Sequence, residues 1–363
     1  MGVLLLRIAR RLPEIERSGA LPKVILPIGG VLGLFFLLLY ALSCGTLSYS
    51  VWDTAEIIFC RGMHYVSESP LVPGIAGDVI WYLRLPRLLL AMLAGAGLAL
   101  AGAVMQAIMR NPLADPYLLG VSSGAGLGAT AAIALHIGAV FGRDSIGVFA
   151  FLGALGSSLL LIGIASLHAR QEPFQLLLAG LGIHVICSAC ISLFVAVGAD
   201  EEGIQSITYW LMGSLLMAHW QGIFVLGCVL FGAGAFFLSQ ANILNLMLLD
   251  DDTAATLGVN LSSYRRAYIV VVAILVGTIV YYSGMIGFVG LVTPHIVRRF
   301  CGGSHLLLLP FSMLAGACLV SWADLGSRLL LAGTDIPIGI MVSLVGGPVF
   351  VFLLGSKKYG FRG

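Results

Sequence analysis

Charge is what this sequence has least of. Asp, Glu, Lys and Arg make up 10% of its 363 residues, where a soluble domain carries about 25%. With 59% hydrophobic residues, no soluble core of this size can hide the apolar surface. The fold class is therefore an all-α polytopic membrane protein. A net charge of +2, with no basic run interleaved with aromatics, excludes nucleic acid as a partner. No G-x-x-x-x-G-K-[ST] phosphate loop occurs, so the chain does not hydrolyse ATP by that route and any pumping draws on a partner or an ion gradient. No Asp or Glu falls mid-span, which weighs against an ion-coupled secondary transporter. The seven cysteines mostly sit inside apolar runs, where thiols behave as small hydrophobes rather than as a disulfide framework. A cleavable leader is not expected. Val24 to Cys44 exceeds the usual apolar length of a signal and lacks a small-x-small site, so it reads as a retained first span.

What is present is organised around Arg84 to Gly126. Leu88 to Met109 is long enough to cross a bilayer core of roughly 30 Å. Arg110-Asn111-Pro112-Leu113-Ala114-Asp115-Pro116 then breaks the helix, since neither proline supplies an interior N–H. Charges and turn residues divide the chain into about ten transmembrane helices around a central path, at roughly 24–44, 87–109, 117–137, 146–167, 174–198, 220–239, 267–283, 284–300, 306–325 and 336–355. The 267–300 run is too long for one crossing, and Ser283-Gly284 offers the break. The domains are a cytoplasmic segment 1–23, a permease body 24–355 containing a cytoplasmic loop 239–266, and a cytoplasmic tail 356–363. With both ends on one side, that side collects Arg7, Arg10, Arg11, Arg17, Lys23, Arg110, Arg170, Arg265, Arg266, Arg298, Arg299, Lys357, Lys358 and Arg362. The other side has only Arg61, Arg84, Arg87, Arg143 and Arg328, so both termini are cytoplasmic by the positive-inside rule. A weak repeat pairs Gly102 and Pro112 with Gly284 and Pro294, a pattern met in transporters built from repeated bundles.

Several polar groups stand out against this background. Arg84, Arg87 and Arg328 lie on the outer side, against the charge bias. They either snorkel and cap carbonyls or form a basic collar for a docking partner. The island Ser239 to Arg266 contains Asp250-Asp251-Asp252 ahead of Thr253 to Leu257. Acid at the start and Gly258 at a left-handed C′ position predict a short helix. The alternative is an ordinary connecting loop. Asn111-Pro112-Leu113 and Glu172-Pro173-Phe174-Gln175 are turns that end helices. His184-x-x-Cys187-x-x-Cys190 tempts a metal reading, but the third residue has drifted round the helix and a fourth ligand is missing. Packing is preferred, with His184 kept as a polar residue able to touch cargo in a substrate path. The rows Gly95, Gly97, Gly102 and Gly124, Gly126, Gly128 read as close helix packing.

RLPR at 84–87, GAVMQAIMRNPLADPYLLGVSSGAG at 102–126, LLLAG at 176–180, GFVGLVTPHIVRR at 287–299 and DIPIG at 335–339 resemble the FecCD-type membrane permeases. Those are the transmembrane subunits of type II ABC importers for haem, ferric siderophores or cobalamin. The resemblance covers roughly residues 50 to 355. It implies a second copy of the chain, two cytoplasmic ATPase subunits carrying ATP and Mg, a periplasmic binding protein, and a bacterial inner-membrane location, with no cofactor in the chain itself. It assigns Arg84, Arg87 and Arg328 to binding-protein docking and Leu249, Ala254, Leu257 and Gly258 to ATPase coupling. It assigns Asn111, Leu113, Pro173 and Phe174 to a cytoplasmic gate, and turns Met105 and Gln106 toward the path. The run of three aspartates and the Pro173-Phe174 pair depart from the family pattern. The expected function is inward transport of an iron chelate by alternating access. Haem comes first, because spans 2, 3 and 5 lack charge and His184 and Met105 suit a flat apolar macrocycle; ferric siderophore and then cobalamin follow. A metal-ion permease would rest on His184/Cys187/Cys190 alone.

Overall fold

The computed structural model describes residues 29, 33, 36, 38–45, 49–63, 65, 69–117, 120–142, 144–166, 173–198, 200–249, 251–330 and 335–355. The 1–23 segment, the 356–363 tail, most of the first predicted span, Glu172 and Asp250 lie outside them. The described chain is helical. In order the helices are α1 Val51–Gly62, α2 Ile75–Ile108 with a π-helical stretch at Val79–Arg84, α3 Val121–Ala134, α4 Ile137–Phe141 and α5 Asp144–Ser166. There follow α6 Pro173–Val197, α7 Glu201–Met212, α8 Trp220–Ser239, α9 Ala241–Met247 and α10 Asp251–Thr256. The last four are α11 Leu261–Ser283, α12 Val289–Cys301, α13 His305–Leu329 and α14 Ile338–Gly355.

Six of these, α2, α5, α6, α8, α11 and α13, are long and apolar enough to cross a membrane, with α3 and part of α14 as shorter apolar helices. The expected breaks are found at Arg110 and at Ser283-Gly284, where Gly284 takes φ +62 and ends α11. One expected span needs correction. The 284–300 segment is not a helical crossing: residues 284–287 are irregular and α12 has thirteen residues, a rise of about 20 Å. The repeat is corrected with it. Pro112 lies in the turn beyond α2, whereas Pro294 sits inside α12. Four short helices, α1, α4, α7 and α9, lie outside the expected spans. Two of them, α1 and α7, had visible caps: Ser50 accepts from Asp53 N–H, and Asp200 accepts from Gly203 N–H.

Helix α2 is the centre of the molecule. Its most apolar window is 83% buried, against 22% for α6 and 33% for α5 and α8. It therefore touches protein all round while the others face outward in large part. Small residues permit this. A Cβ added at Gly95 would meet Gly316 O of α13 at 2.2 Å, and one added at Gly102 would meet Gly290 O of α12 at 2.0 Å. Backbones in contact are the expected glue where lipid offers no hydrophobic gain. Gln106 adds a polar tie. Pro294 deprives Gly290 O of its helical N–H partner, and Gln106 Nε2 donates to Gly290 O and Leu291 O, each at 3.3 Å. Its Oε1 accepts from Arg298 Nη2 at 3.0 Å. No buried amide goes unused here.

Candidate functional site

The inner end of α2 is where the polar chemistry gathers. Past Met109 the backbone turns left-handed at Arg110 (φ 48), a strained conformation for a residue with a side chain. Asn111 then closes the turn: its Oδ1 accepts from Leu113 N–H at 2.9 Å and its carbonyl from Ala114 N–H at 3.0 Å. Asp115 is buried in the same turn, where its Oδ1 accepts from Tyr117 N–H at 2.8 Å. Burial pushes its carboxyl up to about 6 despite that bond. The Tyr117 hydroxyl accepts from Ile286 N–H at the α11–α12 break.

Because its backbone turns away, Arg110 reaches the cytoplasmic loop. Its Nε donates to Met247 O, the end of α9, at 2.8 Å, and its Nη2 pairs with Asp251 at the start of α10. Arg265 of α11, fully buried, donates to both oxygens of Asp251 at 2.6 and 2.7 Å. Burial opposes charge on Asp251, yet the two guanidiniums hold its carboxyl below the usual range. The predicted short helix is therefore present, and Gly258 has φ +78 as the sequence required. Of the predicted coupling residues, Leu249 and Leu257 are exposed and Gly258 lies on the surface beside them, but Ala254 is fully buried. Ala254 packs inward, where its carbonyl accepts from Leu257 and Val259 N–H.

The gate residues are found at two helix boundaries. Asn111 and Leu113, both half-buried, share the turn after α2. Pro173 opens α6, where its missing N–H costs nothing, and Phe174 beside it is 66% exposed.

The outer arginines are engaged within the chain. Arg84 Nη1 donates to Leu42 O at 2.8 Å and Arg328 Nη1 to Ala41 O at 3.2 Å. These are last-turn carbonyls of the helix at 38–43, which lack intrahelical donors. Arg84 also lies over the Tyr49 ring at 5.2 Å. Arg87 pairs with Asp324 at 2.6 Å and Asp335 at 2.7 Å and donates to Ser327 Oγ, while Arg328 lies 3.0 Å from Asp324. The three guanidiniums are thus held by a fully buried carboxylate, by Asp335 and by the carbonyls that end the 38–43 helix.

Met105 and Gln106 are both fully buried in the core, and the Gln106 amide is occupied by α12. His184 is half-buried and its Nδ1 has no hydrogen-bond partner. Cys187 is buried one turn along. What the sequence did not disclose is an open cavity of about 450 Å³ lined by Tyr117, Leu211, Met212, Met285, Ile340 and Leu344. Its wall is set by the irregular 284–287 stretch, and Gly339 comes close enough that a Cβ there would meet Met212 O at 2.4 Å. Its size suits an organic ligand.

A profile of the FecCD transport family matches residues 33–356. The hemin transport system permease protein HmuU of Yersinia pestis is 38% identical over 287 residues, 77% of this chain and 85% of that protein. The vitamin B12 import system permease protein BtuC of Klebsiella pneumoniae is 38% identical over 302 residues, 83% and 89% of the two. A solved inward-facing metal-chelate type ABC transporter superposes with a TM-score of 0.78 at 33% identity, covering 92% of this chain and 99% of that one.

Proposed function

Because the chain belongs to the FecCD transport family, we propose that this ABC import permease carries an iron chelate, haem first, across the bacterial inner membrane. It works as a pair of copies with two cytoplasmic ATPase subunits, which bind the ATP and Mg, and a periplasmic binding protein. The observation that carries the cargo choice is the cavity. Its lining of Leu211, Met212, Met285, Ile340 and Leu344 is mainly apolar, with the Tyr117 and Ser343 hydroxyls as its polar groups, a surface suited to a flat apolar macrocycle. Similarity to a hemin permease and a vitamin B12 permease at the same 38% identity keeps cobalamin and siderophore as competing cargoes.

In this reading the loaded binding protein docks on the outer face. Arg84, Arg87 and Arg328 give that face a rigid footing from beneath rather than meeting the partner as free charges. The exposed Leu249, Leu257 and Gly258 meet the ATPase. Asn111, Leu113, Pro173 and Phe174 close the inner side until ATP-driven movement opens them. The deciding experiment is uptake into proteoliposomes of the full complex, with haem, a ferric siderophore and cobalamin in competition. Haem uptake that the other two fail to displace is expected; haem excluded while cobalamin enters would overturn the choice. Phe174→Ala should raise ATP-independent leak several-fold in the same vesicles, and an unchanged leak would remove Phe174 from the gate.

A further inference from the structure

The turn after α2 and the short helix α10 are separated by 136 residues or more of sequence, yet one side chain joins them. Asn111 closes the turn with its side-chain oxygen and its carbonyl, and the Arg110 side chain reaches elsewhere. Instead its guanidinium spans two elements of the cytoplasmic loop, taking Met247 O at the end of α9 and Asp251 at the start of α10. A left-handed backbone at a residue with a long side chain is retained only where something needs it, and here it aims the guanidinium out of the line of α2. Asp251 is shared with Arg265, whose side chain is fully buried in α11. The result is a two-pronged fork from Arg265 and a single Nη2 contact from Arg110 on one carboxylate, with the Arg110 Nε turned to the Met247 carbonyl, so that one planar guanidinium is held by two elements at once.

We propose that Arg110 is a positioning residue that makes the inner gate turn and α10 move as one body, so that displacement of α10 by the ATPase is delivered to Asn111–Leu113. This rests on the importer reading above. Arg265 ties α10 to α11, whereas Arg110 ties α10 to the turn at the end of the central helix. The two ties are separable, and that makes the role testable without dismantling the loop.

The test variant is Arg110→Gln, with Arg110→Lys as the conservative partner and Asp251→Asn, which weakens the Arg265 tie together with the Arg110 tie, as the upper bound. Two spin labels, at Leu113→Cys and Thr253→Cys in a background freed of native cysteines, report the separation of turn and helix in the full chain in nanodiscs. The native pair should give a narrow distance distribution. Arg110→Gln should widen it about twofold, Arg110→Lys should recover most of the narrowing, and Asp251→Asn should widen it at least as much. In the complete complex, Arg110→Gln should keep native ATPase-subunit stoichiometry while cargo moved per ATP falls roughly tenfold, the scale of a lost coupling of 1–2 kcal/mol. An unchanged distance width in Arg110→Gln overturns the proposal, as does loss of ATPase subunits in proportion to loss of transport, which would make Arg110 merely structural. A native complex that hydrolyses ATP without importing any chelate would instead defeat the importer reading, and the label distances would still decide whether the two elements are joined.

Discussion

Both ends of α2 use the same device, one carboxylate between two arginines, for different mechanical ends. At the outer end Asp324 is fully buried, and its partners Arg87 and Arg328 are 13% and 10% exposed. At the inner end Asp251 is 41% exposed and one partner, Arg110, 23%. The outer group joins two long helices that already touch backbone to backbone at Gly95 and Gly316. The inner one joins the central helix to a six-residue helix with one buried side chain of its own, Ala254. A charge group inside a packed interface contributes rigidity that cannot be exchanged cheaply. A half-exposed one between a fixed and a small element transmits position while adding little to stability. The difference lies in what surrounds the carboxylate, not in the ion pairs.

That comparison breaks first, and hardest, at Asp324. Asp324→Asn leaves Arg328 without its carboxylate and Arg87 with Asp335 alone and should cost roughly 3–5 kcal/mol, seen as a large drop in thermal unfolding temperature in detergent; a native-like melting curve would remove the distinction. Next comes the strut between the two ends. Gly102→Ala drives a methyl into Gly290 O and should cost about 1–3 kcal/mol by the same measurement, and tolerance of alanine would mean α2 and α12 separate easily. Gln106→Leu should follow at about 1–2 kcal/mol, since it strands the Gly290 carbonyl freed by Pro294 and removes the second bond to Leu291 O. Arg110→Gln sits at the bottom of the stability scale, at most about 1 kcal/mol. If its melting loss matches that of Asp324→Asn, the two ends are alike after all. The inner end also has a pH signature. The folded Asp251 carboxyl titrates below its unfolded value, so its contribution is present above about 3.9 and is lost as pH falls through the lower folded value. The label separation should therefore hold from neutral pH down to about 4 and widen only below it; widening near pH 6 would mean the arginines do not hold Asp251.

The helical body was legible because apolar runs and proline breaks are strong local signals. Trp220–Ser239 was bounded correctly by them, and Ser283-Gly284 was recognised as the end of a helix. The α10 helix and its glycine cap were legible for the same local reason. What escaped was pairing across distance. Nothing near Arg84 or Arg328 announces that the end of the 38–43 helix needs their N–H groups. Nothing near Gln106 says that a proline 188 residues later has freed a carbonyl beside it. The burial of Ala254 was not legible because a six-residue helix is too short for its periodicity to reveal which side packs inward. The cavity was invisible since its walls come from α7, α14 and the irregular stretch between α11 and α12.

The bond between Gln106 and the carbonyls beside Pro294 carries a genetic consequence. Restoring an N–H at position 294 would satisfy Gly290 O within α12 and leave the Gln106 amide the Leu291 carbonyl alone; replacing Gln106 alone would orphan the Gly290 carbonyl. Each change is harmful by itself and the pair together is mild, so the two sites form an epistatic unit. A screen for suppressors of a Gln106 defect should return position 294 of α12 rather than any neighbour of Gln106 on α2.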